Sequence, residues 1–133
     1  MSFTLETNHS GGPVIVRVGN ALDFRNAEAF QQACKKSLQE GTKTFIFDFS
    51  ETGMLDSTGL GSIFKLHHQV SRLNGKVVLA SLSQPVQVVI QMTRAYKVFP
   101  HFASVEAALA SLAKRGAGPA HPPTQGVLER AGP

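Results

Sequence analysis

The chain has 133 residues, 42% apolar and 17% charged, which supports one packed domain and excludes a wholly disordered chain. A single cysteine, Cys34, excludes an internal disulfide and fits a reducing compartment. The formal net charge of +4 comes from scattered Lys and Arg, without a basic run or aromatic interleaving, so direct nucleic-acid binding is not expected.

The opening MSFTLETNHS has neither a basic nor an apolar block, so no signal peptide is expected. No apolar run approaches the ~18 residues of a membrane span. Membrane insertion is therefore not expected, and a cytoplasmic location is. Residues 4–7 and 13–18 read as strands joined by a turn at NHSGG, with Val14, Val16 and Val18 alternating with Ile15 and Arg17. Asp23 is placed to cap the following helix, which carries Ala27, Phe30, Cys34 and Leu38 on one face and ends near Gly41. KTFIFDF reads as a strand buried on both faces. MLDSTG links it to a second helix, whose inner face holds Leu60, Ile63, Phe64, His67, Val70 and Leu73. LNG ends that helix, and KVVLAS is a buried strand.

Ser83 and Pro85 start a third helix, continued by Val86, Val89, Ile90 and Met92. VFPHF is a short extended piece closed by Pro100, and Ser104 caps a last helix with Val105, Ala108, Leu109 and Leu112. The stretch from Lys114, rich in Gly, Pro and Ala, reads as a flexible tail. The expected organisation is thus a domain over 2–113 and a tail over 114–133. Its order, ββαβαβα(β)α, implies an α/β fold with a mixed, mostly parallel sheet of four to five strands, about four helices and an antiparallel edge hairpin.

The most informative stretch is Asp56-Ser57-Thr58-Gly59, small polar residues between a buried strand and a helix start. Open α/β folds carry functional groups at the carboxyl ends of strands. A phosphate on Ser57 would be tolerated by unpaired helix N–H groups while adding about −1.5 to −2 charges to a small surface. On residue type and position alone, a plain helix cap accounts for the same residues. Catalytic readings fit poorly. A serine-hydrolase elbow needs a glycine two residues before the serine, where Leu55 stands. Ser57 and Thr58 leave one residue too many for an aspartic-protease triplet. No lysine follows Gly59 for a phosphate loop, and no third glycine completes a dinucleotide fingerprint. His67 and His68 are adjacent and point to different sides of a helix, so they cannot chelate as an i, i+4 pair would. Cys34 reads as a small buried hydrophobe.

Asp56-Ser57-Thr58-Gly59-Leu60-Gly61, then Asn74-Gly75-Lys76-Val77, Pro85-Val86-Gln87-Val88 and Val98-Phe99, together resemble the STAS domain of anti-sigma factor antagonists. The resemblance covers nearly all of residues 2–113. It implies a non-catalytic switch without a cofactor: the unmodified protein binds an anti-sigma factor that is also a GHKL-type serine kinase. Phosphorylation on Ser57 releases that partner, and a metal-dependent serine phosphatase of the PPM type resets the switch. It also implies a partner surface of Asp23, Asp56, Ser57, Thr58, Gly59, Leu60 and Gly61. The turn that usually carries glycine reads Asn20-Ala21-Leu22-Asp23, with Asn20 expected to take the positive φ. Two other uses of such a domain remain open: a subunit of a phospholipid-type ABC transport complex, and a nucleotide or small-ligand module.

Overall fold

The computed structural model describes residues 3–7 and 12–116. In chain order its elements are β1 (Phe3–Thr7), β2 (Val14–Val18), β3 (Ala21–Leu22), α1 (Ala27–Gln39), β4 (Thr44–Asp48), β5 (Met54–Leu55), α2 (Ser57–Ser71), β6 (Lys76–Ala80), α3 (Gln84–Thr93), a 3-10 turn (Ala95–Lys97), β7 (His101–Phe102) and α4 (Val105–Gly116). Val14, Val16 and Val18 are buried and Arg17 is exposed, so the period of two gives β2 one core face. β1 pairs with it antiparallel, from Phe3↔Val18 to Thr7↔Val14. Most of the expected NHSGG turn lies outside the described residues, as does the expected tail from Ala117.

The main sheet runs β1-β2-β4-β6-β7 and is parallel from β2 onward. The two-sided apolar character of KTFIFDF has a direct cause. Phe45, Phe47 and Phe49 pack with Phe30 and Cys34 of α1, Ile63, Leu66 and Val70 of α2, and Val86 and Ile90 of α3. Ile46 faces the other way, with Val78, Ala80, Val105 and Ala108 beneath α4. Each fully buried Phe contributes roughly 1.5–3 kcal/mol over an exposed one. Phe30 and Phe47 add a tilted ring contact at 5.4 Å. Arg17 ties the strands across the sheet, donating to Glu6 of β1 at 3.0 Å and to the buried Asp48 of β4 at 2.6 Å.

Both serine caps stand: Ser83 Oγ accepts from Val86 N–H, and Ser104 Oγ accepts from Ala107 N–H. Two expectations are corrected, those for Leu73 and Pro100. Leu73 is exposed, because α2 ends at Ser71 and Asn74 (φ 62) turns the chain toward β6. Gly75 N–H then donates to Val70 O. α3 runs through Met92 as expected, with Met92 itself 80% exposed, two residues past the buried Ile90 and so on the opposite side of the helix. In α1, Leu38 is half-buried and packs against the core as expected, beside the buried Ser37. Pro100 leads into β7 and does not close it; its carbonyl accepts from Leu79 N–H. His67 is half-buried, edge-on to Phe99 at 5.4 Å, and desolvation followed by the neighbouring His68 lowers its pKa.

Cys34 is buried, and desolvation pushes its thiol up to about 12. The thiolate is the reactive species. Ellman's reagent should leave the native protein unlabelled at pH 8 and modify one thiol per chain only after denaturant unfolds it.

Candidate functional site

MLDSTG is not a plain link. Met54 and Leu55 form β5, which pairs parallel with β3 through Ala21↔Met54 and Leu22↔Leu55. This small ladder sits directly before α2. Leu22 and Leu55 turn into the core, while Met54 is 52% exposed. Asn20, expected at positive φ, is not among the residues that take one. Its carbonyl instead accepts from Gly53 N–H at 2.8 Å, so the segment needs no glycine there.

Asp56 is the N-cap of α2, and its carboxylate is used twice. Oδ1 accepts from Gly59 N–H at 2.7 Å, satisfying a helix donor that has no intrahelical partner. Oδ2 accepts from Phe24 N–H at 3.0 Å. Gly59 is buried against the backbone of Leu22, and a Cβ there would collide with the Leu22 carbonyl. Ser62 Oγ donates to Gly59 O at 2.6 Å and fixes the same turn from inside. Gly61 faces open space.

Ser57 and Thr58 are the first two residues of α2, and both are exposed. Among the described residues nothing hydrogen-bonds the Ser57 hydroxyl.

Asp23 does not cap α1. That helix begins only at Ala27, and the backbone carbonyl of Asp23, not its carboxylate, accepts from Ala27 N–H at 2.9 Å. Asn26 stands at the cap position but turns back: its Oδ1 accepts from Asp23 N–H and its Nδ2 donates to Ala21 O. The Asp23 carboxylate, 2% exposed, accepts from Arg25 N–H at 3.0 Å and from Arg25 Nη2 at 2.7 Å. The Arg25 hydrogen bond lowers the Asp23 pKa, against the opposing effect of desolvation.

The seven residues expected to form a partner surface are therefore brought together but not equally accessible. Ser57, Thr58 and Gly61 are exposed and Asp56 is half-buried. Asp23, Gly59 and Leu60 are buried and support the others from beneath. Two accessible residues escaped the sequence reading. Phe24 is 72% exposed and is tied through its backbone to Asp56, and Met54, 52% exposed, pairs with Ala21 on the small ladder. The available signal was an aromatic set alone in a polar run, between Asp23 and Arg25, with no periodic partner.

A family model described as STAS domain matches residues 4–108. The chain belongs to that family. An anti-sigma F factor antagonist of Paenibacillus polymyxa is 22% identical over 113 residues, 84% of this chain and 97% of the relative. SpoIIAA, an anti-sigma factor antagonist, is similar in its unphosphorylated form (TM-score 0.75, 21% identity, 84% of this chain and 96% of that one). It is similar also in the phosphorylated form of the Bacillus protein (TM-score 0.68, 22% identity, 83% and 98%). A sulfate transporter family protein of Wolinella succinogenes shares the fold at 15% identity (TM-score 0.68, 78% and 87%). No helix among the described residues is long and apolar enough to cross a membrane.

The two glycines of the loop should separate cleanly. Gly59→Ala must displace Leu22 and should cost about 3 kcal/mol. Gly61→Ala meets nothing and should be neutral or stabilising by up to ~1 kcal/mol, as for a helical Gly→Ala. Urea denaturation of both variants checks this. The Asp23–Arg25 pair has a pH signature. A depressed carboxyl contributes stability that is fully present above its unfolded value near pH 4 and lost as pH falls through its folded value. Arg25→Ala should lower stability at neutral pH and flatten the decline below about pH 4, read from denaturation curves across that range.

Proposed function

We propose that this protein is an anti-sigma factor antagonist of the partner-switching kind, with no catalytic activity of its own. The unmodified form binds an anti-sigma factor that is also a GHKL-type serine kinase, and so frees a sigma factor. Attack of Ser57 Oγ on the γ-phosphorus of ATP, with the proton taken by the kinase, leaves a phosphoserine on this chain and ADP on the partner. The modified form lets go. A PPM-type phosphatase hydrolyses the ester and returns the serine. All of this takes place in the cytoplasm.

One observation carries the reading. Ser57 presents an unengaged hydroxyl on the outside of a helical turn whose backbone Asp56 already holds. Such a group is reachable by another protein's active site, and modifying it breaks no contact of the fold. The helix N-terminus tolerates the phosphate, while the added charge of about −1.5 to −2 makes the surface hard to desolvate against a partner. Support also comes from the names of the relatives and from the likeness to a protein known in both phosphorylation states. In this reading Ser57 is the modified group, and Asp56, Thr58 and Gly61 touch the partner with Phe24 and Met54. Asp23, Gly59 and Leu60 set the shape of that surface from below.

Ser57→Ala should bind the kinase as the wild type does and stay bound when ATP is added. Ser57→Asp should bind at least about tenfold more weakly, the effect of an uncompensated like charge or lost desolvation at an interface. Mass spectrometry after incubation with kinase and ATP should place one phosphate on Ser57. Equal binding by the two variants, with unchanged melting temperatures, would sink the proposal.

A further inference from the structure

A phosphate on Ser57 would land beside carboxylates. Asp56 immediately precedes Ser57, and its Oδ2 accepts from Phe24 N–H at 3.0 Å. That bond brings the neighbours of Phe24, Asp23 and Arg25, to the same corner as the start of α2. A group adding about −1.5 to −2 charges there is repelled by Asp56 and Asp23 unless a cation answers it. The first turn of α2 offers partial charges only. One of its donors, Gly59 N–H, is already taken by Asp56 Oδ1.

Arg25 is the cation placed to answer. Its side chain is 68% exposed, against 3% for the Asp23 side chain that it pairs. It meets Asp23 with one edge of its guanidinium. Nε lies 3.3 and 3.1 Å from the two carboxylate oxygens, and Nη2 lies 2.7 Å from Oδ2. The guanidinium is a rigid fork of five N–H donors, so Nη1, on the edge away from Nε, stays available. The backbone N–H of Arg25 also donates to Asp23 Oδ1, which anchors the root of the side chain. The hydrogen bond and charge of Asp23 raise the Arg25 pKa, and the charge of Asp56 adds to this from across the corner. Other cations are committed or remote. Arg17 is bound to Glu6 and Asp48, and Lys65 stands more than two turns along α2, about 12 Å from Ser57.

We propose that Arg25 is the counter-charge of a phosphate on Ser57, its Nη1 edge taking a phosphate oxygen while the other edge keeps Asp23. This rests on the functional reading above, in which Ser57 is the modified group, and adds what this chain itself does in the modified state. Arginine pairs with phosphate through short charge-assisted hydrogen bonds. The phosphate is thereby held on the chain's own surface. Phosphorylation then changes that surface twice, adding an anion and withdrawing an exposed cation from any partner.

Phosphoserine installed at position 57 of the full chain during translation makes the test independent of any kinase, whose action on Ser57 is tested separately above. A ³¹P titration from about pH 5 to 8 spans the second ionisation of the phosphate, near pH 6, and reads its proton affinity. Arg25→Gln should raise that affinity about three- to tenfold, because a cation within ~4–6 Å favours the charged form. Arg25→Lys, which restores the charge, should recover much of the loss. The same rise should follow Arg25→Gln made together with Asp23→Asn, compared with Asp23→Asn alone, where no unpaired carboxylate is left behind. Equal proton affinities with and without Arg25 in the Asp23→Asn background overturn the proposal. So does a rise that Arg25→Lys leaves untouched, which would trace the effect to the shape of the turn.

Discussion

The Asp56 carboxylate joins the first turn of α2 to the backbone at Phe24, 32 residues before it in the chain. The β3–β5 ladder it braces has only two residues in each strand, too few to stand alone. The ladder persists because the carboxylate closes it on one side and the Leu22–Gly59 contact closes it on another. A carboxylate with both oxygens bonded to backbone N–H groups is a satisfied polar group, so half-burying it here is cheap. This side chain positions Phe24 and the exposed first turn through their backbone, while Met54 is held by its pairing with Ala21.

The sequence made the regular parts of the fold legible. Alternation identified β2, continuous apolar character identified β4 and β6, and Ser83 and Ser104 announced the starts of α3 and α4. What it hid has physical causes. A two-residue strand has no periodicity to detect, so β3 and β5 vanished into loops. An acid before a helix resembles a cap, but whether Asp23 meets free helix N–H groups or Arg25 depends on where the helix begins, and α1 begins four residues later. Leu73 extended an apolar face beyond the point at which the backbone left it. At the candidate site, the motif marked residues that the fold brings together, but not their depth. Leu60 is buried while its neighbours Thr58 and Gly61 are exposed, a distinction that tertiary packing alone decides.

Around Ser57, inward and outward residues alternate along short, braced segments. Leu22, Leu55, Gly59 and Leu60 face the interior; Phe24, Met54, Ser57 and Thr58 face solvent. Surface substitutions away from caps and packing usually change stability by less than about 0.5 kcal/mol. The outward set can therefore be rewritten with little cost to folding, while the inward set holds the frame constant. A cell carrying several copies of such a domain could keep their signals insulated by changing a few exposed side chains. On the proposed function, cross-talk would then be governed by the identity of residues such as Phe24 and Met54, on a scaffold that need never be redesigned.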